Sequence, residues 1–175
     1  MCIREACERD IPQILSLYTA AREFMHQSGN PTQWPDDYPA LEDVTDDMAR
    51  NALFVYAQGS DVLAVFFFAC GRDRTYDHID GAWLNDEPYA VVHRVASRRG
   101  SGAGRRCLAW ACDQVSNLRI DTHENNAPMR HVLLGLGFVE CGTIICEDGT
   151  PRIAYQHVAD GPTSSREGRR IRAQP

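Results

Sequence analysis

A glycine-rich turn lies between a β-rich segment and an amphipathic segment, and it constrains the fold more than any other feature of the sequence. Residues 95–106 are V-A-S-R-R-G-S-G-A-G-R-R, with Gly100, Gly102 and Gly104 at every second position. Glycine lets a backbone approach a ligand closely, and the amides that begin a helix lie at the positive end of its dipole. The turn is therefore suited to binding phosphate, although a flexible loop with solvated arginines is the alternative interpretation.

Composition excludes several other phosphate and metal sites. All 18 basic residues are arginine, which excludes a Walker A loop and a lysine Schiff base, since both need a lysine. The spacing of the glycines also differs from the dinucleotide fingerprint G-x-G-x-x-G. Seven cysteines without a C-x-x-C pair argue against a zinc ribbon or a thioredoxin-like motif, so we expect no metal site.

The charge of the chain is uneven. Residues 1–158 carry 14 arginines against 22 acidic residues, whereas residues 159–175 carry four arginines against two. The acidic body argues against nucleic acid as the main partner and fits a cationic substrate. Because residues 159–175 are rich in Gly, Ser, Arg and Pro, we predict a single domain over residues 1–158 followed by a disordered polar tail.

No segment has the length and hydropathy of a membrane helix. The longest apolar run, residues 62–70, is too short for one and suits a buried strand. We therefore expect no membrane partner. The N-terminal residues lack a signal-peptide pattern, which predicts a cytoplasmic protein.

Hydrophobic periodicity and turn residues predict the order β-α-α-β-β-β-α-β-α-β-β. The predicted strands are residues 3–6, 53–58, 62–70, 89–97, 118–122, 138–146 and 152–158, and the predicted helices are residues 10–29, 41–51, 102–117 and 126–136. Residues 71–88 are predicted to be a long irregular loop. This order predicts an α/β (α+β) fold with a mixed, mostly antiparallel central sheet flanked by about four helices.

Two motifs resemble those of a known family. The sequence R-G-S-G-A-G of residues 99–104 resembles the pyrophosphate-binding turn of the GNAT superfamily of acetyl-CoA-dependent N-acetyltransferases. Asn126 followed by L-G-F at residues 136–138 is similar to a second motif of that family. More narrowly, residues 83–89, 93–97, 119–124 and 151–156 resemble a bacterial subgroup whose substrate is not established. The resemblance covers most of residues 2–158 and implies a GNAT-like fold.

The resemblance implies acetyl-CoA as co-substrate and assigns residues to it. Backbone amides of the turn would hold the pyrophosphate, at Arg99, Gly100, Gly102, Ala103, Gly104 and Arg105. The amide of Val95 would meet the thioester carbonyl, and Ser97 would meet the pantetheine arm. Asn126 would approach the cofactor at the start of the next helix, but before Ala127-Pro128 it is equally a good N-cap.

The implied reaction is direct attack of a primary amine on the thioester, which needs a general base near Val95. Three residues are catalytic candidates: Glu87 just before the predicted strand, His93 on it, and His123 at the end of the neighbouring strand, as base or acid. His93 is expected to share a face with Val95, two residues on, and is otherwise a hydrogen-bonded core histidine.

The general acid is left open by the sequence. Many GNAT members carry a tyrosine seven residues after the motif asparagine, where this chain has Leu133. Tyr155 is a weaker candidate for the acid and is otherwise a core aromatic.

Aromatic residues in two predicted loops are candidates for the acceptor site. Trp34 and Tyr38, together with Asp36 and Asp37, could form an aromatic and acidic mouth for a cationic amine. They are otherwise anchors that fix the loop on the core. Trp83 is a third candidate with the same alternative.

Together these features predict an N-acetyltransferase that acts on a primary amine of a small molecule or peptide, with a homodimer as an assembly to be tested. Two other interpretations stay open. A GNAT-fold module could bind acyl-CoA with little turnover, which Leu133 allows. An arginine-rich nucleic-acid binder rests on residues 159–175 alone.

Overall fold

Eight strands and four α-helices make up the described part of the chain, residues 1–159 of a computed structural model. In chain order they are β1 (Cys2–Glu5), α1 (Ile11–Gln27), α2 (Leu41–Ala49), β2 (Leu53–Gln58), β3 (Asp61–Cys70), β4 (Asp80–Gly81), β5 (Ala90–Ser97), α3 (Ala103–Gln114), β6 (Asn117–Thr122), α4 (Ala127–Leu134), β7 (Val139–Ile145) and β8 (Pro151–Val158). The predicted tail begins at the last of these residues and otherwise lies outside them, so its disorder stays a prediction.

The strands form one mixed sheet in the order β1-β2-β3-β5-β6-β8-β7-β4. Among the described strands, β5 and β6 are the parallel pair, and all other neighbours are antiparallel. With four helices packed around this sheet, the predicted fold class is confirmed.

Alternating side chains divide the core between the two faces of the sheet. Helices α3 and α4 cover one face, where Phe66, Leu108, Leu118 and Leu133 are buried together. Helices α1 and α2 cover part of the other face through a second cluster around Ile14 and Val65. The remainder of that face, over β5 to β8, is covered by residues 71–88. Everything that lies beneath this segment is therefore held between it and the sheet.

Most elements lie within two residues of their predicted bounds, and the two main differences are local. Helix α3 ends at Gln114 instead of residue 117, because Val115 is extended (φ −139°) and the side chain of Asn117 is bonded across the sheet to Gln156. Residues 71–88 are not wholly irregular: they contain a 3-10 turn at Arg74–Tyr76 and the short strand β4.

Glycines fix this segment to the far edge of the sheet. Gly81 of β4 pairs with Gly142 of β7. Both have positive φ, and a Cβ on either would collide with backbone of the facing strand, at the carbonyl oxygen of Cys141 or of Asp80. Two glycines are thus required where the backbones meet, and this contact fixes the segment that carries Asp73 and Trp83.

Candidate active site

The glycine-rich turn leads from the end of β5 into α3. Gly100 (φ +73°) and Gly102 (φ +66°), the N-cap of α3, both adopt the left-handed conformation that glycine tolerates. Two amides are used inside the turn, because Ser101 N donates to Arg98 O at 3.3 Å and Ala103 N donates to Ser101 Oγ at 3.2 Å.

The remaining amides of the turn are open. Within residues 1–159, no acceptor is bonded to the backbone N–H groups at positions 99, 100, 102, 104 and 105. These residues are exposed, except for the half-buried Gly104. A helix start with unpaired and accessible donors is a site for an anion such as a diphosphate.

Close packing places the turn against β5. A Cβ on Gly104 would lie 3.2 Å from Ser97 Oγ and 4.0 Å from Val95 Cγ1. Arg105 donates to Gly135 O at 3.0 Å, and the Arg99 guanidinium lies 4.8 Å from the centre of the Phe24 ring. Both arginines therefore flank the turn while they are held by neighbouring elements.

On the way to the turn, strand β5 separates from its parallel neighbour β6. They pair at Ala90 with Leu118 and at Val91 with Arg119, and no further. A cavity of about 780 Å³ opens where the strands diverge, and we call it the gap cavity. Its wall includes the predicted site residues Trp34, Tyr38, His93, Val95 and Asn126, together with Asp73, Asp121 and Arg152.

A β-bulge corrects the expectation that His93 and Val95 share a face. In the pairing of β3 with β5, Val65 faces Ala96 and Phe67 faces His93, so β5 has an extra residue at Arg94–Val95. Val95 packs in the core beneath α3, whereas His93 lies beside Phe67 on the opposite face. The two residues still line one cavity because the cavity passes between the separated strands.

The bulge is held by a buried ion pair. Arg94 has φ +51°, an uncommon conformation for a residue other than glycine. Its guanidinium donates to both carboxylate oxygens of Asp47 at 2.6–3.0 Å, and to Tyr38 Oη at 2.9 Å. Asp47 is 3% exposed. This pair fixes both the strained backbone before Val95 and the Tyr38 side chain in the cavity wall.

His93 lies between two carboxylates. Its Nε2 is 2.9 Å from Asp73 Oδ2, and its Nδ1 is 3.8 Å from Asp121 Oδ1. Asp121 Oδ1 also accepts a hydrogen bond of 2.7 Å from the buried hydroxyl of Tyr76. The hydrogen bond with His93 lowers the pKa of Asp73 to about 2. Asp73 is therefore ionised at neutral pH and bonded to Nε2, so the Nδ1 side of the ring lies towards Asp121 in the cavity.

Trp34 and Tyr38 line the cavity, while the acidic residues beside them do not. Trp34 is 7% exposed and makes edge contacts with Tyr38 at 6.2 Å and with Tyr18 at 5.7 Å between ring centres. Asp36 and Asp37 are exposed, and the Asp36 side chain lies 3.7 Å from His26. The structure therefore supplies the aromatic part of the predicted mouth and places its acidic part on the outside.

The side chain of Asn126 is an N-cap with a second contact. Its Oδ1 accepts from Met129 N at 3.2 Å, and its Nδ2 donates to Gln33 Oε1 at 2.9 Å. Gln33 Oε1 also accepts from Asn30 at 2.6 Å. Asn126 therefore fixes the start of α4 against the loop that carries Trp34.

Two other candidates, and the position of the missing acid, lie outside the gap cavity. His123 Nδ1 accepts from Asn125 N, and burial, followed by the positive charge of Arg152, lowers the pKa of His123. Tyr155 is fully buried and bonded to Glu140 and Arg130. Leu133 is also fully buried, in the core under α4, so it leaves no acid at that position.

Glu87 and Trp83 line a second cavity of about 970 Å³, which lies beside the paired ends of β5 and β6. Glu87 is exposed and precedes Val95 by eight residues, about 25 Å along an extended chain. The structure therefore does not bring Glu87 to Val95. The guanidinium carbon of Arg119 lies 4.1 Å from the centre of the Trp83 ring and 4.0 Å from the centre of the Tyr89 ring.

Several residues in and beside the two cavities were missed by the sequence argument. The strand segment N-L-R-I-D, residues 117–121, alternates polar and apolar side chains, and this signal predicts that Asn117, Arg119 and Asp121 share a face. Asp73 lies in the segment interpreted as irregular, where no periodicity marks it. Asp47 is one of several acids on α2, and its pairing with Arg94 depends on the tertiary fold.

Two features are absent from residues 1–159. They contain no group of three His, Cys, Asp or Glu side chains placed to hold a metal ion. They also contain no helix with the length and hydropathy that crossing a bilayer would require.

Several solved structures similar to this one are described as acetyltransferases. A GNAT-family acetyltransferase from Streptococcus agalactiae has 31% sequence identity, covers 91% of this chain and 96% of its own, and superposes with a TM-score of 0.83. Two more distant ones show the fold alone. A ribosomal-protein-alanine N-acetyltransferase from Brucella melitensis has 20% identity, coverages of 91% and 100%, and a TM-score of 0.63. The putative acetyltransferase yncA from Salmonella typhimurium, with its cofactor acetyl-CoA, has 15% identity, coverages of 96% and 99%, and a TM-score of 0.63.

Comparison of the sequence itself adds no further relative. No family model matches the chain, and no curated protein matches it.

Proposed function

The chain belongs to the GNAT family of acetyltransferases, and from this premise we propose that it transfers the acetyl group of acetyl-CoA to a primary amine of a small molecule or peptide. One observation carries the proposal. The row of open amides at residues 99–105 lies next to a gap between β5 and β6, and His93 lies in the wall of that gap. The proposed diphosphate site therefore packs against Val95, which lines the same cavity as the proposed base His93.

The residues of the turn fit the diphosphate of acetyl-CoA. Five accessible amides and the positive end of α3 favour an anion, and Arg99 and Arg105 add charge beside it. Ser97 would lie along the pantetheine arm. The amide of Val95, next to the bulge, would donate to the thioester oxygen as negative charge develops on it, a contribution of about 3 kcal/mol in other acyl transfers.

His93 is the proposed general base. A lysine-like amine has a pKa of about 10.4, so only roughly one molecule in 2,500 is neutral at pH 7. His93 Nδ1 takes a proton from the amine while Asp73 holds Nε2, and Asp121 lies beside the proton that is transferred. The neutral amine adds to the thioester carbonyl, and the C–S bond breaks as the carbonyl re-forms. The remaining proton that the nitrogen must lose goes to water, and the departing thiolate takes up a proton from water.

The acceptor would enter along the wall formed by Trp34 and Tyr38. Both rings are fixed, by Tyr18 and Arg94 respectively, so they present a preformed wall to an amine substrate. Trp83, in the second cavity, is not part of this proposal. The cytoplasmic location and the homodimer stay predictions.

Cofactor binding provides the direct test. We expect Gly102→Glu to weaken acetyl-CoA binding by about 100-fold or more, because a carboxylate about 5 Å from a phosphate charge costs roughly 3 kcal/mol at an effective dielectric constant of 20. Gly59→Glu is the matched control. Gly59 has φ +60°, close to the +66° of Gly102, and at both positions the space that a Cβ would occupy is open to a distance of 4 Å.

Calorimetry with acetyl-CoA measures the first effect, and a mass-read panel of primary amines measures transfer. Equal affinities for acetyl-CoA in Gly102→Glu and Gly59→Glu would contradict the proposal that the turn binds the diphosphate. Tight binding of acetyl-CoA without acetylation of any amine would instead identify a binding module.

A further inference from the structure

Arg152 carries a buried positive charge in the wall of the gap cavity. It lies on β8 and is 6% exposed. Its guanidinium donates to Thr150 Oγ1 at 2.7 Å, to Pro151 O at 2.9 Å and to Gln33 O at 3.2 Å. All three acceptors are neutral oxygens.

No carboxylate within residues 1–159 lies within 4.0 Å of this guanidinium. The Thr150 hydroxyl that accepts from Arg152 donates in turn to Asp148, so the Asp148 carboxylate is linked to this guanidinium only through Thr150. A guanidinium has five N–H donors, and three are used. A buried charge without a paired counter-charge is costly, so its persistence in a cavity wall points to a ligand.

Arg94 shows what a satisfied guanidinium looks like in the same cavity. It is bonded to both oxygens of the buried Asp47 and to Tyr38. Arg152 has the same planar fork and no such partner. The fork matches a carboxylate, which accepts two parallel hydrogen bonds from it.

The position of Arg152 separates it from the diphosphate site. Asp121 of β6 faces Ala154 of β8, so Arg152 lies one diagonal position from Asp121, on the sheet face that carries His93. The open amides of residues 99–105 begin α3, which covers the opposite face. The anion at Arg152 is therefore expected to belong to the acceptor and not to the cofactor.

We propose that the acceptor carries a carboxylate as well as the reacting amine, as amino acids do, and that Arg152 binds this carboxylate. The inference rests on the proposed acetyl transfer and narrows its substrate class. Asp121 lies one diagonal position from Arg152 and 3.8 Å from Nδ1 of His93, where its charge favours the amine end of the same molecule.

The experiment compares amino acids with their primary amides, which keep the amine and lose the carboxylate. We expect the wild-type enzyme to prefer the acids, and Arg152→Gln to lower kcat/KM for the acids by about 10- to 100-fold, the range of a charged hydrogen-bonded pair. The amides should change by less than about threefold, and the KM for acetyl-CoA should stay the same. Because each pair is measured in both enzymes, the different reactivities of the free amines cancel.

Two variants control for charge and shape. Arg152→Lys keeps the charge without the fork, so it should lie between wild type and Arg152→Gln for the acids. Arg9→Gln removes the same charge from an exposed side chain that lines neither of the two cavities, and it should leave the ratio of acid to amide unchanged.

The outcomes separate this inference from the proposed function. Acetylation without preference for the acid in any pair, or an equal loss for acids and amides in Arg152→Gln, overturns carboxylate recognition and leaves acetyl transfer standing. Calorimetric binding of the acids needs no turnover. If no amine is acetylated but Arg152→Gln still weakens acid binding more than amide binding, the transferase proposal fails and the role of Arg152 holds.

Discussion

Two cavities lie along the same pair of strands, and a buried arginine has different contacts in each of them. In the second cavity, beside the paired ends of β5 and β6, Arg119 lies between the rings of Trp83 and Tyr89 and donates to Asn85 O at 2.9 Å. In the gap cavity, where the strands have separated, Arg152 has no aromatic or acidic partner among residues 1–159. Both guanidinium groups are at least nine-tenths buried.

The difference follows from how residues 71–88 cover the sheet. At the paired ends, Asn85 of this segment forms hydrogen bonds with the polar side chains beneath it. Asn117 and Gln156 are bonded to each other, and both donate to Asn85 Oδ1. Over the gap, the same segment contributes Asp73, which is bonded to Nε2 of His93, while Nδ1 lies 3.8 Å from Asp121 in the cavity wall. Polar residues therefore serve the fold where the strands pair and remain available to a ligand where they part.

The largest expected effect concerns the two candidate bases, which lie in different cavities. His93→Ala should lower kcat by about 100-fold or more, because a positioned base contributes about 10² to 10⁴ to the rate. The affinity for acetyl-CoA should stay near that of the wild type. Glu87→Gln should leave kcat within about twofold, since its exposed side chain lies in the second cavity.

Steady-state kinetics across pH 6 to 9, together with calorimetry for the cofactor, measure both variants. A large loss in Glu87→Gln with a normal His93→Ala would reverse the roles given to the two cavities.

A smaller effect separates the two buried arginines by stability. Arg119→Ala should lower the free energy of unfolding by about 3 kcal/mol, because it removes two ring contacts of about 1 kcal/mol each and a hydrogen bond to Asn85. Arg152→Ala should cost about 1 kcal/mol or less, because Arg152 loses no ring contacts and the relief of a buried charge without a carboxylate partner, which both variants share, offsets its lost hydrogen bonds. Urea unfolding with a common m value provides the comparison. Equal losses would mean that both arginines serve the fold.

Much of the fold could be predicted from the sequence because local signals agree there. Apolar periodicity located the helices and strands, and the run 62–70 was recognised as a central strand from its apolar residues on both faces. The short strand β4 was missed because two residues, Asp80 and Gly81, have no periodicity. Its existence depends on the facing Gly142, 61 positions further along the chain, which no local pattern reports.

The site divides in the same way. The turn at residues 99–105 is contiguous in sequence, so its glycines and its position before a helix could be interpreted directly. The proposed base and its partners come from three separate segments, and Asp73 is 20 residues from His93. The bulge at Arg94–Val95 also could not be predicted, because a positive φ at an arginine is fixed by the distant Asp47. Regular alternation of side chains along a strand therefore predicted His93 and Val95 on one face, and this prediction was wrong.

The smallest expected effect tests how the two ends of residues 71–88 are held. The pKa of Asp73, about 2, lies below the value of about 3.9 for an unfolded aspartate, so its ion favours the folded state. Allowing for a side chain that is 24% exposed, Asp73→Asn should cost about 1 kcal/mol at pH 7. This difference from wild type should be complete above about pH 5 and should disappear as the pH falls from 4 towards 2. Asn85→Ala removes neutral hydrogen bonds at the other end of the segment, so its cost should not follow that titration. Urea unfolding of both variants between pH 7 and pH 3 distinguishes the two, and a cost of Asp73→Asn that persists unchanged at pH 3 would show that charge does not hold the end of the segment beside His93.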